Sequence, residues 1–117
     1  MPDDDLVDEL RIAIEATYPG VSLWIHTSGT HLILGRLVVP EQQRNQGIGT
    51  AIMQRLLAEA DHWGIPAALT PSNAYGGSLT RLRPFYRRFG FKPNRGRNKD
   101  FHTTESMVRT PKSQGAQ

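Results

Sequence analysis

One short segment constrains the fold of this chain more than any other, because it joins an apolar stretch to an amphipathic one through two glycines. The segment reads Arg44-Asn45-Gln46-Gly47-Ile48-Gly49-Thr50. The first N–H groups of a helix have no partner inside it, and the helix dipole places partial positive charge there. Glycines let a ligand approach the backbone closely, since they carry no Cβ. The sequence therefore predicts an anion site at this helix start, and a pyrophosphate is its natural occupant.

The hydrophobic pattern around this segment predicts alternating helices and strands, and so a single α/β layer structure. We expect helices over residues 3–17, 47–63 and 78–89, and strands over 21–26, 31–39, 67–70 and 103–109. Gly35 inside the second strand predicts a bulge or a close backbone approach. Pro84 lacks an N–H, so we expect either a kink in the last helix or a helix start at this residue.

The composition indicates one small domain without cysteine chemistry. A chain of 117 residues can bury a modest core, and the lack of cysteine excludes disulfides, thiolate metal sites and a cysteine nucleophile. Its apolar runs are shorter than the roughly 20 residues of a membrane span, and the N-terminus is acidic rather than basic. We expect a cytoplasmic protein with one domain over residues 1–110, followed by a disordered tail over residues 111–117.

The net charge of +3 is unevenly distributed along the chain. The first twenty residues contain six acidic residues and a single arginine, whereas ten lysines and arginines follow from Arg81 onward, against Asp100 and Glu105. A basic half suggests an anionic ligand or partner, and a merely solvated surface explains the cluster equally well.

Two motifs in a fixed order narrow the interpretation. Residues 47–49 read Gly-x-Gly, but Ile52 stands where a dinucleotide fingerprint has its third glycine, and no Walker lysine follows. Arg44-x-x-Gly47-x-Gly49 follows the apolar strand, and Phe85-Tyr86-Arg87-Arg88-Phe89-Gly90-Phe91 lies downstream of it. Together these motifs resemble those of the GCN5-related N-acetyltransferase (GNAT) superfamily, and the similar region spans residues 32–93.

The resemblance implies a compact fold with a mixed central sheet, helices on both faces and an abbreviated N-terminal part. It also implies acetyl-coenzyme A as co-substrate, with no metal. The backbone N–H groups of residues 44–50 would hold the pyrophosphate, and the backbone of Leu37, Val38 and Val39 would bind the pantetheine arm. Leu79 stands where the family often has an asparagine, so Asn73 or Ser78 is the candidate for the equivalent contact.

The same resemblance assigns chemistry to Tyr86, whose hydroxyl would act as a general acid toward the leaving sulfur. A base for the attacking amine is harder to find, because residues 32–39 contain no carboxylate. The candidates are Glu41, just past the strand, and His31, at its start; His26 on the preceding strand is a third. His31 and His26 also suggest a metal pair, but further ligands are missing nearby.

The function implied is transfer of an acetyl group from acetyl-coenzyme A to a primary amine by direct attack on the thioester. The acceptor is an amine-bearing small molecule or protein, and a homodimer is one way to complete the short acceptor region. Two alternatives remain open: a small basic nucleic-acid-binding module, which we do not favour, and a non-catalytic GNAT-like domain that binds coenzyme A. We expect no membrane partner.

Overall fold

A computed structural model describes residues 2–72 and 79–112 of the protein. The helices are α1 (Asp4–Thr17), α2 (Ile48–Trp63) and α3 (Leu79–Arg87), with a short 3-10 turn at Glu41–Gln43. The strands are β1 (Ser22–Ser28), β2 (His31–Val38), β3 (Ala67–Leu69), β4 (Lys92–Pro93) and β5 (Met107–Arg109).

The strands form one five-stranded sheet in the order β1-β2-β3-β5-β4. β2 and β3 run parallel and are joined through α2, while β1 pairs with β2, and β5 with both β3 and β4, in antiparallel fashion. The predicted mixed sheet is therefore confirmed. The parallel pair matters most for the site, because a helix that connects two parallel strands begins at the carboxyl end of the first one.

β2 and β3 pair over a short distance and then separate. Their register ends at Leu34 opposite Leu69, whereas β2 continues along β1 as far as Val38 opposite Ser22. The register with β1 shifts at Gly35, which is left without a partner residue. A bulge of this kind bends the strand that contains it. The edge of β2 that faces β3 is therefore open beyond Leu34.

Gly35 is required at this bulge by close packing, as the sequence predicts. A Cβ on Gly35 would lie 2.8 Å from Cδ1 of Trp24, which is too short for any larger residue unless the indole moves. Trp24 itself is 47% exposed. The bulge and the close approach predicted for this glycine are thus both present.

The buried side chains of the helices form one core cluster with alternating residues of the sheet. The cluster joins Val7, Leu10 and Ile14 of α1, Ile52, Met53, Leu56, Leu57 and Ala60 of α2, and Tyr86 of α3 to Leu23, Ile25, Leu32, Ala67 and Leu69 of the strands. Ile33 and Ala68 are buried on the opposite face, outside this cluster. There a cavity of about 200 Å³ lies between His26, Ile33 and residues 101–105. At this point the loop over residues 101–105 lies on the second face.

Local signals explain where the helices begin and end. The side chain of Asp3 accepts a hydrogen bond from the N–H of Leu6 at 2.9 Å and so caps α1. Gly64 ends α2 with a φ of +70°, and Gly90 follows α3 with a φ of +97°, as its sequence position predicts. α3 runs through Pro84 rather than starting there, because residues 79–83 already form its first turn.

The C-terminal strands differ from the expected pattern. β5 covers only Met107–Arg109, and β4 was not predicted, since two residues give no periodicity to detect. Residues 103–106 are held instead as a loop, in which the N–H of Ser106 donates to Oγ1 of Thr70 at 3.0 Å. Among the described helices, none combines the length and apolar character that a membrane span requires.

Candidate functional site

A cleft of about 580 Å³ opens where β2 and β3 separate. One wall is β2 and the residue after it, positions 34–39, and the other is the end of β3 with the residues that follow, positions 69–72. The remaining lining comes from the turn before α2, from the first residues of α2, and from α3 with the residue that follows it. These residues are Gln43, Arg44, Asn45, Gly47, Ile48, Gly49, Thr50, Arg81, Leu82, Phe85, Tyr86 and Arg88.

The start of α2 presents free backbone donors to this cleft. The first hydrogen bond of the helix runs from the N–H of Ala51 to the carbonyl of Gly47 at 3.0 Å. Within the described part of the chain, the N–H groups of Ile48, Gly49 and Thr50 therefore have no backbone partner. Asn45 and Gly47 have positive φ values of 65° and 79°, which turn the chain into the helix. This geometry suits an anion.

Tyr86 lies in the cleft wall on α3 and is 8% exposed. Its ring packs edge-on against Phe85 and Phe91, with centroids 5.2 and 6.0 Å away. Burial raises the pKa of the Tyr86 hydroxyl above its usual value of 10.0, because the phenolate loses hydration. The hydroxyl is therefore protonated at neutral pH, as a proton donor must be.

The cleft is positively charged. Its described lining includes Arg36, Arg44, Arg81 and Arg88, and contains neither a carboxylate nor an imidazole. Arg44 donates from Nε to the carbonyl of Val39 at 3.1 Å, which fixes the guanidinium beside the end of β2. Arg88 lies over the ring of Phe85 at 5.5 Å. Cationic side chains and open N–H groups thus converge on one space, which favours a polyanionic ligand.

The structure places His31 away from this cleft. The ring is 2% exposed, and both its nitrogens are engaged: Nε2 lies 2.7 Å from Oδ2 of Asp100, and Nδ1 lies 2.7 Å from Oγ1 of Thr30. Hydrogen bonds from the His102 N–H and from His31 lower the pKa of Asp100 below its usual range. This geometry assigns His31 to anchoring the loop over residues 94–106 and does not support the role of base.

The other base candidates also lie outside the cleft lining. Glu41 is exposed in the 3-10 turn. His26 lines the smaller cavity on the second face, and its buried Nδ1 has no hydrogen-bond partner among the described residues. Over residues 2–72 and 79–112, no group of three or more His, Cys, Asp or Glu side chains could hold a metal ion.

Most of the predicted ligand-binding residues line the cleft, and some do not. Leu37, Val38, Val39, Arg44, Asn45, Gly47, Ile48, Gly49 and Thr50 do so. Gln46 is absent from the lining, and its amide donates to the carbonyl of Gln42 at 3.4 Å. Asn73 and Ser78 lie outside the described residues.

The second wall of the cleft was predicted only in part. The family resemblance implies a slot between the strand over 31–39 and its neighbour over 67–70, which includes Thr70, but no motif marks Pro71 and Ser72, which also line the cleft. A physical signal was present, since ligands in open α/β sheets bind beyond the carboxyl ends of the strands and these residues directly follow β3. Arg36 was also missed, because its neighbours in the sequence are apolar.

The basic C-terminal half separates into different environments. Arg81 and Arg88 line the cleft, whereas Arg83 and Arg87 do not. Arg109 is 4% exposed and binds Asp61 through two hydrogen bonds of 2.8 and 3.0 Å. The hydrogen bond from Arg109 is the main cause that lowers the pKa of Asp61. The charge asymmetry is therefore partly a structural ion pair and partly a ligand site.

Comparison with known proteins agrees with this fold and cleft. The chain belongs to the acetyltransferase (GNAT) domain family, which matches residues 8–93. It is similar to the crystal structure of a putative N-acetyltransferase from Lactobacillus plantarum, with 18% identity and a TM-score of 0.54 over 77% of this chain. The chain spans 59% of that protein's length.

A second similar structure is Ard1 from Thermoplasma volcanium, with 16% identity and a TM-score of 0.51. That match covers 87% of this chain and 78% of the other. At such identities both likenesses show the fold alone. No curated protein matches the chain.

Proposed function

We propose that this protein is an acetyl-coenzyme A-dependent N-acetyltransferase that moves an acetyl group to a primary amine. The observation that carries the proposal is the convergence in one cleft of the open edge of β2, the unpaired N–H groups at the start of α2, and the Tyr86 hydroxyl. GNAT domains use acetyl-coenzyme A in general, and its phosphates suit Arg44, Arg81 and Arg88 of the lining.

Different residues of the cleft bind different parts of acetyl-coenzyme A. The N–H groups of Ile48, Gly49 and Thr50, with Arg44, hold the pyrophosphate at the helix start. Arg81 on α3 and Arg88, the residue that follows α3, bind the remaining phosphate. The backbone of residues 37–39 binds the pantetheine amides as an added strand would, because its edge toward β3 is open.

Acetyl-coenzyme A supplies an activated acyl group, a thioester. Tyr86 donates its proton to the sulfur as the bond from the acetyl carbon to sulfur breaks and the bond from that carbon to the amine nitrogen forms. The products are an amide and a free thiol. The amine gives up one proton, and the solvent returns it to the phenolate of Tyr86. A backbone N–H of β2 polarises the thioester carbonyl.

Solvent takes the proton of the amine, since the described cleft lining has no carboxylate or imidazole. The reactive acceptor is then the neutral amine. We therefore expect kcat/KM to rise with pH up to the pKa of the acceptor amine, whichever amine is used. A profile that levels off at one fixed lower pH for amines of different pKa would instead indicate a protein base.

Ligand-dependent stability tests the proposed binding site. Saturating acetyl-coenzyme A, at about a hundred times its Kd, should stabilise the fold by about 2.7 kcal/mol and raise the unfolding midpoint by several degrees. ATP and NAD are the anion controls. An equal shift with all three would reduce the site to a non-specific anion site.

Tyr86→Phe tests the catalytic step. We expect release of free thiol in the presence of an amine to fall about 100-fold, while the midpoint shift with acetyl-coenzyme A remains. Tyr18→Phe is the matched control, because Tyr18 packs partly buried against the core outside the cleft lining. Unchanged turnover in Tyr86→Phe would remove the general-acid role.

One observation favours a second candidate, a domain that binds coenzyme A without turnover. The missing base in the described lining leaves binding intact while removing one aid to catalysis. A midpoint shift specific to acetyl-coenzyme A, with no thiol released by any amine of a broad panel, would select this candidate.

A further inference from the structure

Arg36 lies on the face of the sheet opposite the core cluster. It pairs across the strands with Trp24, and the next pair is Leu34 with Ile25, because Gly35 is the bulge. Cross-strand partners share a face, and successive residues alternate between faces. Ile25 belongs to the core cluster, and Leu34 packs against it. Arg36 and Trp24 therefore face away from the core cluster. Arg36 belongs to the strand that forms one wall of the cleft, and Trp24 packs against Gly35 of that strand.

Arg36 differs from the structural arginines in having no acidic partner. Arg11 pairs with Glu15 at 2.8 Å, and Arg109 pairs with Asp61 at 2.8 Å. Arg36 donates from Nε to the neutral hydroxyl of Ser22 at 2.9 Å. Among the described residues it has no carboxylate within ion-pair distance. A half-buried guanidinium in this state keeps hydrogen-bond donors for a ligand.

The placement of Arg36 separates it from the phosphate-binding groups. The start of α2, with Arg81 of α3 and Arg88 just after it, approaches the cleft from the side of the core, where both helices pack. Arg36 lines the same cleft from the outer face. The outer face beside Arg36 therefore offers a route by which an acceptor can reach the open edge of β2. Trp24, 47% exposed, lies beside this route, and the Arg11 guanidinium lies over its ring at 6.0 Å from the centroid.

We propose that the acetyl acceptor is an amine that also carries a carboxylate, and that Arg36 is the residue that selects it. The guanidinium binds the carboxylate on the outer face while the amine points through the gap between β2 and β3. The planar fork of arginine matches a carboxylate better than the ammonium of lysine does. This inference rests on the proposed acetyl transfer, and it specifies the acceptor class that the family does not.

Matched acceptor pairs test the inference. Thiol release from acetyl-coenzyme A is measured with free α-amino acids and short peptides, and with the same molecules as C-terminal carboxamides. We expect kcat/KM for the best carboxylate acceptor to exceed that for its carboxamide by about 10-fold or more. In Arg36→Gln this ratio should fall toward one, and in Arg36→Lys it should be intermediate. The change in ratio between variants cancels any difference in amine pKa within a pair.

Arg95→Gln is the matched control, since Arg95 is exposed on the loop after β4 and does not line the cleft. It should leave the ratio unchanged. A wild-type ratio near one overturns the inference, and this measurement needs no variant to fold. An Arg36→Gln protein that loses both acceptors equally also overturns it.

The shift of the unfolding midpoint with acetyl-coenzyme A distinguishes a failure of this inference from a failure of the proposed function on which it rests. The midpoint shift with acetyl-coenzyme A should be the same in wild type and Arg36→Gln. If the substitution abolishes that shift and leaves the ratio intact, Arg36 binds the donor, and the inference fails while the acetyltransferase function stands. If the wild type shows no shift, the proposed function fails and the inference falls with it.

Discussion

The two halves of β2 have different roles, although they belong to one strand. Its first half, through Leu34, is paired on both sides, and its apolar side chains are mostly buried. Its second half, from Gly35 to Val38, is paired only with β1 and is partly exposed. Since every backbone group in the interior of a sheet is already bonded, a ligand can bind by strand addition only where pairing stops. The bulge at Gly35 marks the change from stability to binding.

The largest expected contrast between the halves is in stability. Leu32 is 3% exposed in the core cluster, so Leu32→Ala should lower the free energy of unfolding by about 2–5 kcal/mol. Leu37 is partly buried at the cleft, and Leu37→Ala should cost about 1 kcal/mol. Urea unfolding of the two variants measures both. Equal losses in the free energy of unfolding would mean that the second half of β2 is as much a part of the core as the first half.

The bulge itself gives the next effect. Gly35→Ala places a Cβ 2.8 Å from Trp24, so we expect a loss of about 1–3 kcal/mol in the free energy of unfolding. Trp24→Ala removes the obstructing ring and should recover most of that loss in the double variant. Comparing the two single variants with the double variant measures the coupling. If the losses simply add, contact with Trp24 is not what requires glycine here.

The smallest effect concerns the hydrogen bond between His31, at the start of β2, and Asp100. The pKa of Asp100 is lowered, first by the His102 N–H and then by His31. A lowered carboxylate pKa stabilises the fold above the unfolded-state pKa of about 3.9, and this contribution is lost as the pH falls through the folded-state pKa. Asp100→Asn should therefore reduce the loss of stability below about pH 4.

The control for this pH dependence is Asp5→Asn, since Asp5 is exposed in the first turn of α1. Unfolding midpoints from pH 2 to 7 compare both variants with the wild type. An acid response of Asp100→Asn that matches the wild type would show that the link to His31 contributes nothing to stability.

The sequence predicts the bulge in β2 and the helix boundaries well because their determinants are local. Gly47 must adopt a positive φ, and Gly35 must admit a tryptophan, so both glycines mark the chain directly. The same holds for Gly90 after α3. Tyr86 is located by a motif whose spacing puts it on a helix facing the cleft.

Contacts between residues that are far apart in the sequence could not be predicted in the same way. His31 was considered as a base, but it contacts Asp100, a residue 69 positions later in the chain. No periodicity reports a contact at that separation. The strand β4 and the wall residues Pro71 and Ser72 were missed for a related reason, since tertiary contacts rather than a local pattern define them. The predicted contacts of Asn73 and Ser78 stay predictions.

Backbone amides resolved by nuclear magnetic resonance test the central claim most directly. On addition of acetyl-coenzyme A to labelled protein, the amides of Ile48, Gly49, Thr50 and residues 37–39 should shift and gain protection from hydrogen exchange. The amides of Leu32 and Ile33, already paired within the sheet, should change little. Changes that are confined to other parts of the chain, or that ATP reproduces in full, would contradict the assignment of the cleft between β2 and β3 to acetyl-coenzyme A.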